Sequence, residues 1–97
     1  MTEAETCQTM AEVRAALDAL DEQIVTLLGR RMRYVEAAAR IKQHRDEVRD
    51  DARIGVVIGQ AAAVAERVGF PPDLARELYR LIIEASIAHE LERFDRG

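Results

Sequence analysis

The chain has 97 residues, 48% of them apolar and 33% charged, with a formal net charge of −4. That length fits one small domain spanning 1–97, and the acidic balance argues against nonspecific nucleic-acid binding, which needs a basic surface. No apolar run reaches the roughly 18 residues that a membrane span requires. The acidic opening MTEAETCQTM is unlike a signal peptide, and Cys7 is the only cysteine, so a cytoplasmic protein without a disulfide or thiol-ligated metal is expected.

The first element predicted along the chain is a long helix from about Thr9 to His44. Val13, Leu17, Leu20, Ile24, Leu27, Leu28, Met32, Val35, Ala38 and Ile41 recur mostly in steps of three and four. Thr9 with Glu12 has the spacing of a capping box. Gly29 is the only glycine inside this segment and weakens a helix without stopping it. His44, at the helix end, suits the negative end of the dipole. The charged stretch RDEVRDDA then has no apolar period and reads as a loop or frayed joint.

A second helix is expected from Asp51 to Val68, with Ile54, Val57, Ile58, Ala61, Ala65 and Val68 on one side. Gly55 and Gly59 are four apart, a spacing that either admits a close backbone neighbour or simply weakens the helix. Gly69 supplies a stop. Pro71, Pro72 and Asp73 open a third helix carrying Leu74, Leu78, Leu81, Ile82, Ala85 and Ile87, fading near Phe94. The class is all-α, with three helices and no strand.

A first helix of that length measures roughly 50 Å, whereas a compact domain of this size has a radius of gyration of about 13 Å. The apolar stripe continues almost to the helix end and crosses Gly29 in phase, so the protruding part needs cover. An intertwined homodimer provides it.

Several polar residues interrupt the apolar faces. Arg31 follows Ile24 by seven residues and shares its seam; Lys42 follows Arg31 by eleven, nearly three whole turns and about 16 Å along the axis. Arg14 flanks the same seam about 25 Å before Arg31, too far for both to grip one small molecule from a single helix, but within reach if a second chain crosses the first. Each cation alone could snorkel to water. Together, at such regular placement, they suit a small dianion, because arginine forks match carboxylates. On the third helix Ser86 and Glu90 extend the line of Ile82 by four and eight residues. His89, one residue off that line, is expected at the surface or at the helix end. No glycine-rich phosphate loop, metal-ligand cluster or Ser-His-Asp order stands out.

The segments MAEVRAALDALDEQIVTLLGRRMRYVEAAARIK, VRDDAR and LIIEASIAHE resemble the all-helical AroQ-class chorismate mutases, and within that class the isochorismate pyruvate-lyase branch. The resemblance runs from about Cys7 to Phe94. It implies an intertwined dimer with sites built from both subunits, and a cofactor-free, metal-free reaction. It implies that Arg14 enters from the partner subunit to bind one substrate carboxylate, and that Arg31 binds the other or shares it with Arg53. Lys42 would contact a carboxylate and the ether oxygen, Asp50 would lie near the ring hydroxyl, and Ser86 near a carboxylate. Glu90 stands where many bacterial members carry Gln; it must hold a proton to donate to the ether oxygen. Ile54 stands where many mutases carry a Glu that meets the C4 hydroxyl, and the lyase branch is also aliphatic there.

The implied activity is rearrangement of chorismate to prephenate, the isomerase step that feeds aromatic amino-acid biosynthesis. The alternative is loss of pyruvate from isochorismate to give salicylate; an amino-substituted chorismate is a further possible substrate. A reading of another class is a helical dimerisation module without catalysis.

Overall fold

The computed structural model describes residues 2–97. Three helices account for most of them: α1, Met10–Ile41; α2, Asp51–Val68; and α3, Pro72–Arg96. Short 3-10 turns lie at Ala4–Thr6 and Arg45–Glu47, and no strand occurs among the described residues. The all-α, three-helix class is therefore that expected from the periodicity. The described residues divide into two compact units, one running up to Arg33 and the other Tyr34–Gly97.

In the first unit, α1 starts where its cap dictates. The Glu12 N–H donates to Thr9 Oγ1 at 3.2 Å, while Glu12 Oε1 accepts from the Thr9 hydroxyl at 3.1 Å and from the Gln8 N–H at 3.3 Å. The carboxylate therefore reaches one residue further back than a strict capping box requires. The helix passes through Gly29 without interruption over 32 residues. No described residue before Tyr34 is buried, and Leu17, Leu20, Ile24, Leu27 and Leu28 are all exposed.

The second unit holds the last turns of α1, the connection, and the packed pair α2 and α3. α1 stops at Ile41, three residues short of the expected His44. His44 instead precedes the 3-10 turn with extended backbone, and the Glu47 carboxylate accepts from the backbone N–H groups of Gln43 at 3.0 Å and His44 at 3.2 Å. These two bonds, that from His44 first, hold the Glu47 carboxyl below its usual pKa.

α2 begins at Asp50, whose Oδ1 accepts from the Arg53 N–H at 3.0 Å as an N-cap. It ends at Gly69, whose φ of 80° is left-handed, with the Phe70 N–H on the Ala65 carbonyl at 2.8 Å in a Schellman close. Pro72 then occupies the first turn of α3, where its missing N–H costs nothing.

The buried apolar residues are small ones and two aliphatics: Ala39, Val48, Ala62, Ala65, Ala75 and Ile83. Alanines at the contact let α2 and α3 approach closely. Gly55 and Gly59 play no such part within the chain; both are exposed, and an added Cβ would meet nothing within 4 Å.

The stretch expected as a frayed joint is tied down. Val48 is 5% exposed. Arg45 reaches both oxygens of Asp95, at 3.0 and 3.4 Å. Arg49 forms a fork with both oxygens of Glu84, at 3.0 and 2.7 Å, and lies 3.3 Å from Asp51. Hydrogen bonding to Arg49 lowers the Glu84 pKa, and Glu84 in turn holds the guanidinium more firmly protonated.

Because the folded Glu84 carboxyl sits below its unfolded value, its contribution to stability is present above the ordinary glutamate range and fades as pH falls through the folded value. Glu84→Gln should therefore lower the urea midpoint at about pH 7. The gap from the parent should begin to narrow as pH falls through the ordinary glutamate range and close once the folded carboxyl is itself protonated. The gap at neutral pH should also narrow in high salt, since both partners are solvent-exposed.

Candidate functional site

The helical line of α3 that contains Ser86 and Glu90 faces inward. Glu90 is 6% exposed and Ser86 7%. Around Glu90 the burial follows the turn of the helix: His89 and Leu91 are half-buried, and Glu92 and Arg93 are exposed. Ser86 Oγ donates to the Ile82 carbonyl four residues back, at 2.7 Å. That bond satisfies a hydroxyl that would otherwise be costly in this position.

Lys42 meets Glu90 there. It follows the last residue of α1 but remains on the helical path, because its N–H donates to the Ala38 carbonyl at 2.9 Å. Its Nζ donates to Glu90 Oε2 at 2.8 Å. The side chains are 29% and 8% exposed respectively, so the carboxylate is covered while the ammonium has a way out to solvent. Removing a buried carboxylate from water is costly unless a cation stays close, and Lys42 is that cation. An ammonium has three donors. One is used on Glu90, and the others suit an arriving oxygen acceptor.

The start of α2 brings together three more of the expected residues. Asp50, Arg53 and Ile54 are linked by the N-cap bond and by the Ile54 N–H on the Asp50 carbonyl at 2.9 Å. One Asp50 carboxylate oxygen is thus occupied by the backbone, a role that the residue pattern did not reveal. Arg53 is exposed and Ile54 half-buried. Arg14 and Arg31 belong to the first unit, where Arg14 is exposed and Arg31 half-buried.

One polar contact of the second unit escaped the sequence. His89, expected at the surface, is half-buried with Nε2 2.6 Å from Glu36 Oε2, and Arg93 Nη1 lies 3.7 Å from the same oxygen. The partners are 53 positions apart, so no local spacing could announce them. Among the described residues no group of three His, Cys, Asp or Glu is placed to hold a metal ion. No described helix is long and apolar enough to cross a membrane.

Residues 13–91 match the family model described as chorismate mutase type II. Every candidate residue, from Arg14 to Glu90, lies within that match. The chain is also 34% identical over 88 residues to a protein of Pseudomonas aeruginosa named isochorismate pyruvate lyase, covering 91% of this chain and 87% of that one. The inward-facing Ser86–Glu90 line, the Lys42 ammonium beside it and these two matches agree: the chain belongs to the chorismate mutase type II family.

Proposed function

We propose that the protein is a chorismate mutase, rearranging chorismate to prephenate in a cation-lined site shared between two copies of the chain. The observation that carries this reading is the Lys42–Glu90 pair, a lysine donor and a carboxyl held side by side in a covered position. The reaction breaks the ether C–O bond and forms a C–C bond between the side-chain methylene and the ring. Atoms are conserved, and no nucleophile is required. Catalysis then consists of holding the reactive conformer and stabilising charge that develops on the ether oxygen.

In this mechanism Arg31 takes one substrate carboxylate, with Arg53 beside it, and Arg14 from the other copy takes the second. Lys42 donates to a carboxylate and to the ether oxygen. For Glu90 to donate to the same oxygen, Lys42 turns to the substrate carboxylate and Glu90 takes up a proton from solvent. Ser86 lies near a carboxylate, and Asp50 meets the ring hydroxyl. The second copy also covers Leu17, Leu20, Ile24, Leu27 and Leu28, which are between 39% and 57% exposed in the single chain. Complete burial of such a side chain from water is worth about 1.5–3 kcal/mol, of which roughly half remains to be gained here, and a stripe of this length is characteristic of an interface.

A second reading is isochorismate pyruvate-lyase activity. It is favoured by the aliphatic Ile54 and by the name of the Pseudomonas relative. There the same C–O bond breaks while a ring hydrogen passes to the side-chain methylene, leaving salicylate and pyruvate. The cation cage serves either ring, so the two substrates' specificity constants separate them. On the mutase reading kcat/KM for chorismate exceeds that for isochorismate. The reverse order would assign the chain to the lyase reaction.

Two further outcomes follow. Arg31→Ala should reduce kcat/KM by roughly 10²–10³-fold, the usual loss when one preorganised donor is removed, with the helical circular-dichroism signal retained. A dimerisation module without catalysis would instead tolerate the change. Glu90→Gln, whose amide donates at any pH, should keep most of kcat/KM, whereas Glu90→Ala should lose roughly 10²–10³-fold. Equal losses in the two variants would remove Glu90 from the donor role.

A further inference from the structure

The connection between α1 and α2 carries Lys42 at one end and Asp50 at the other. Connections of this kind are ordinarily the most mobile parts of a fold. This one is bound to α3 at three places: Lys42 to Glu90, Arg45 to Asp95, and Arg49 to Glu84. The last two pairs involve none of the residues assigned to the substrate. Both are two-pronged, and that geometry restricts a side chain far more than a single contact does.

Their anchors on α3 are eleven residues apart, about 16 Å and nearly three turns, so they lie on one side of the helix. Ser86 and Glu90 fall between them in sequence but on another side. Between the two arginines Val48 is buried, and the Glu47 carboxylate closes the turn on the Gln43 and His44 N–H groups. The connection is therefore fastened across α3, with Lys42 delivered at one edge.

We propose that Arg45–Asp95 and Arg49–Glu84 are positioning pairs, which hold the connection on α3 so that the Lys42 ammonium is already placed beside Glu90 before substrate arrives. The consequence for turnover rests on the functional reading above; the consequence for the mobility of the connection does not. Exposed ion pairs contribute little to global stability, but Lys42 stands at the junction of α1 and the connection, so a free connection would let the end of α1 fray and the ammonium shift away from Glu90. Misplacement by about 1 Å can cost on the order of 10²-fold in rate.

The test compares the parent, Arg45→Gln/Arg49→Gln and Arg45→Lys/Arg49→Lys by amide hydrogen exchange over residues 43–50 and by steady-state turnover of chorismate and isochorismate. The glutamine variant should keep its helical signal, exchange these amides at least about tenfold faster, and lose about tenfold in kcat/KM, chiefly through kcat. The lysine variant should recover part of both, because a point charge replaces a fork. Unchanged exchange in the glutamine variant would overturn the proposal. So would faster exchange with unchanged kcat, since the pairs would then order the loop without positioning Lys42. If the parent turns over neither substrate, the functional reading fails by itself, and the exchange comparison still decides whether the pairs hold the connection.

Discussion

A carboxylate that is 6% exposed has to be neutralised where it stands, and for Glu90 the neutralising group is the Lys42 ammonium at 2.8 Å. This contact joins the end of α1 to the inward face of α3, elements 48 positions apart in the chain. Helix geometry then carries the consequence along α3. A buried Glu90 requires that Ser86, one turn earlier, also face inward, and its hydroxyl is satisfied by the Ile82 carbonyl. The polar line survives inside the unit because each member has a partner.

The apolar core around that line is slight. Four of its six buried apolar residues are alanines, so α2 and α3 are held by close approach more than by large side chains. The connection before α2 adds one apolar anchor, Val48, and ion pairs that restrain it locally. The long side chains of α1 contribute little to the interior of a single chain. In the proposed dimer that surplus of apolar surface, together with Arg14, is what a second copy would use, and the substrate's two carboxylates would meet cations from both chains.

The helices were legible where short-range chemistry governs them. Thr9 and Glu12 mark the start of α1, the limits Asp51 and Val68 of α2 follow from its apolar period and the left-handed Gly69, and Pro72 marks the opening of α3. Each signal acts within about one turn, so the residue pattern is sufficient. The end of α1 was placed three residues too late, because the competing bonds from Gln43 and His44 to Glu47 are made in the turn beyond it. The charged run from Arg45 to Asp51 looked unstructured, because its order comes from Asp95 and Glu84, far along the chain.

The sequence by itself determined that this chain is three helices, that cations interrupt the seam of the first, and that Ser86 and Glu90 share a face of the third. Periodicity fixes which residues of one helix lie together, and nothing else is needed for those statements. Only the tertiary structure decided that the face bearing Glu90 turns inward, that Lys42 is its counter-ion, and that Arg45 and Arg49 fasten the intervening connection. Those are choices of partner, made by desolvation cost and reach in space. No spacing along a chain encodes which of its 18 acids a given cation will meet.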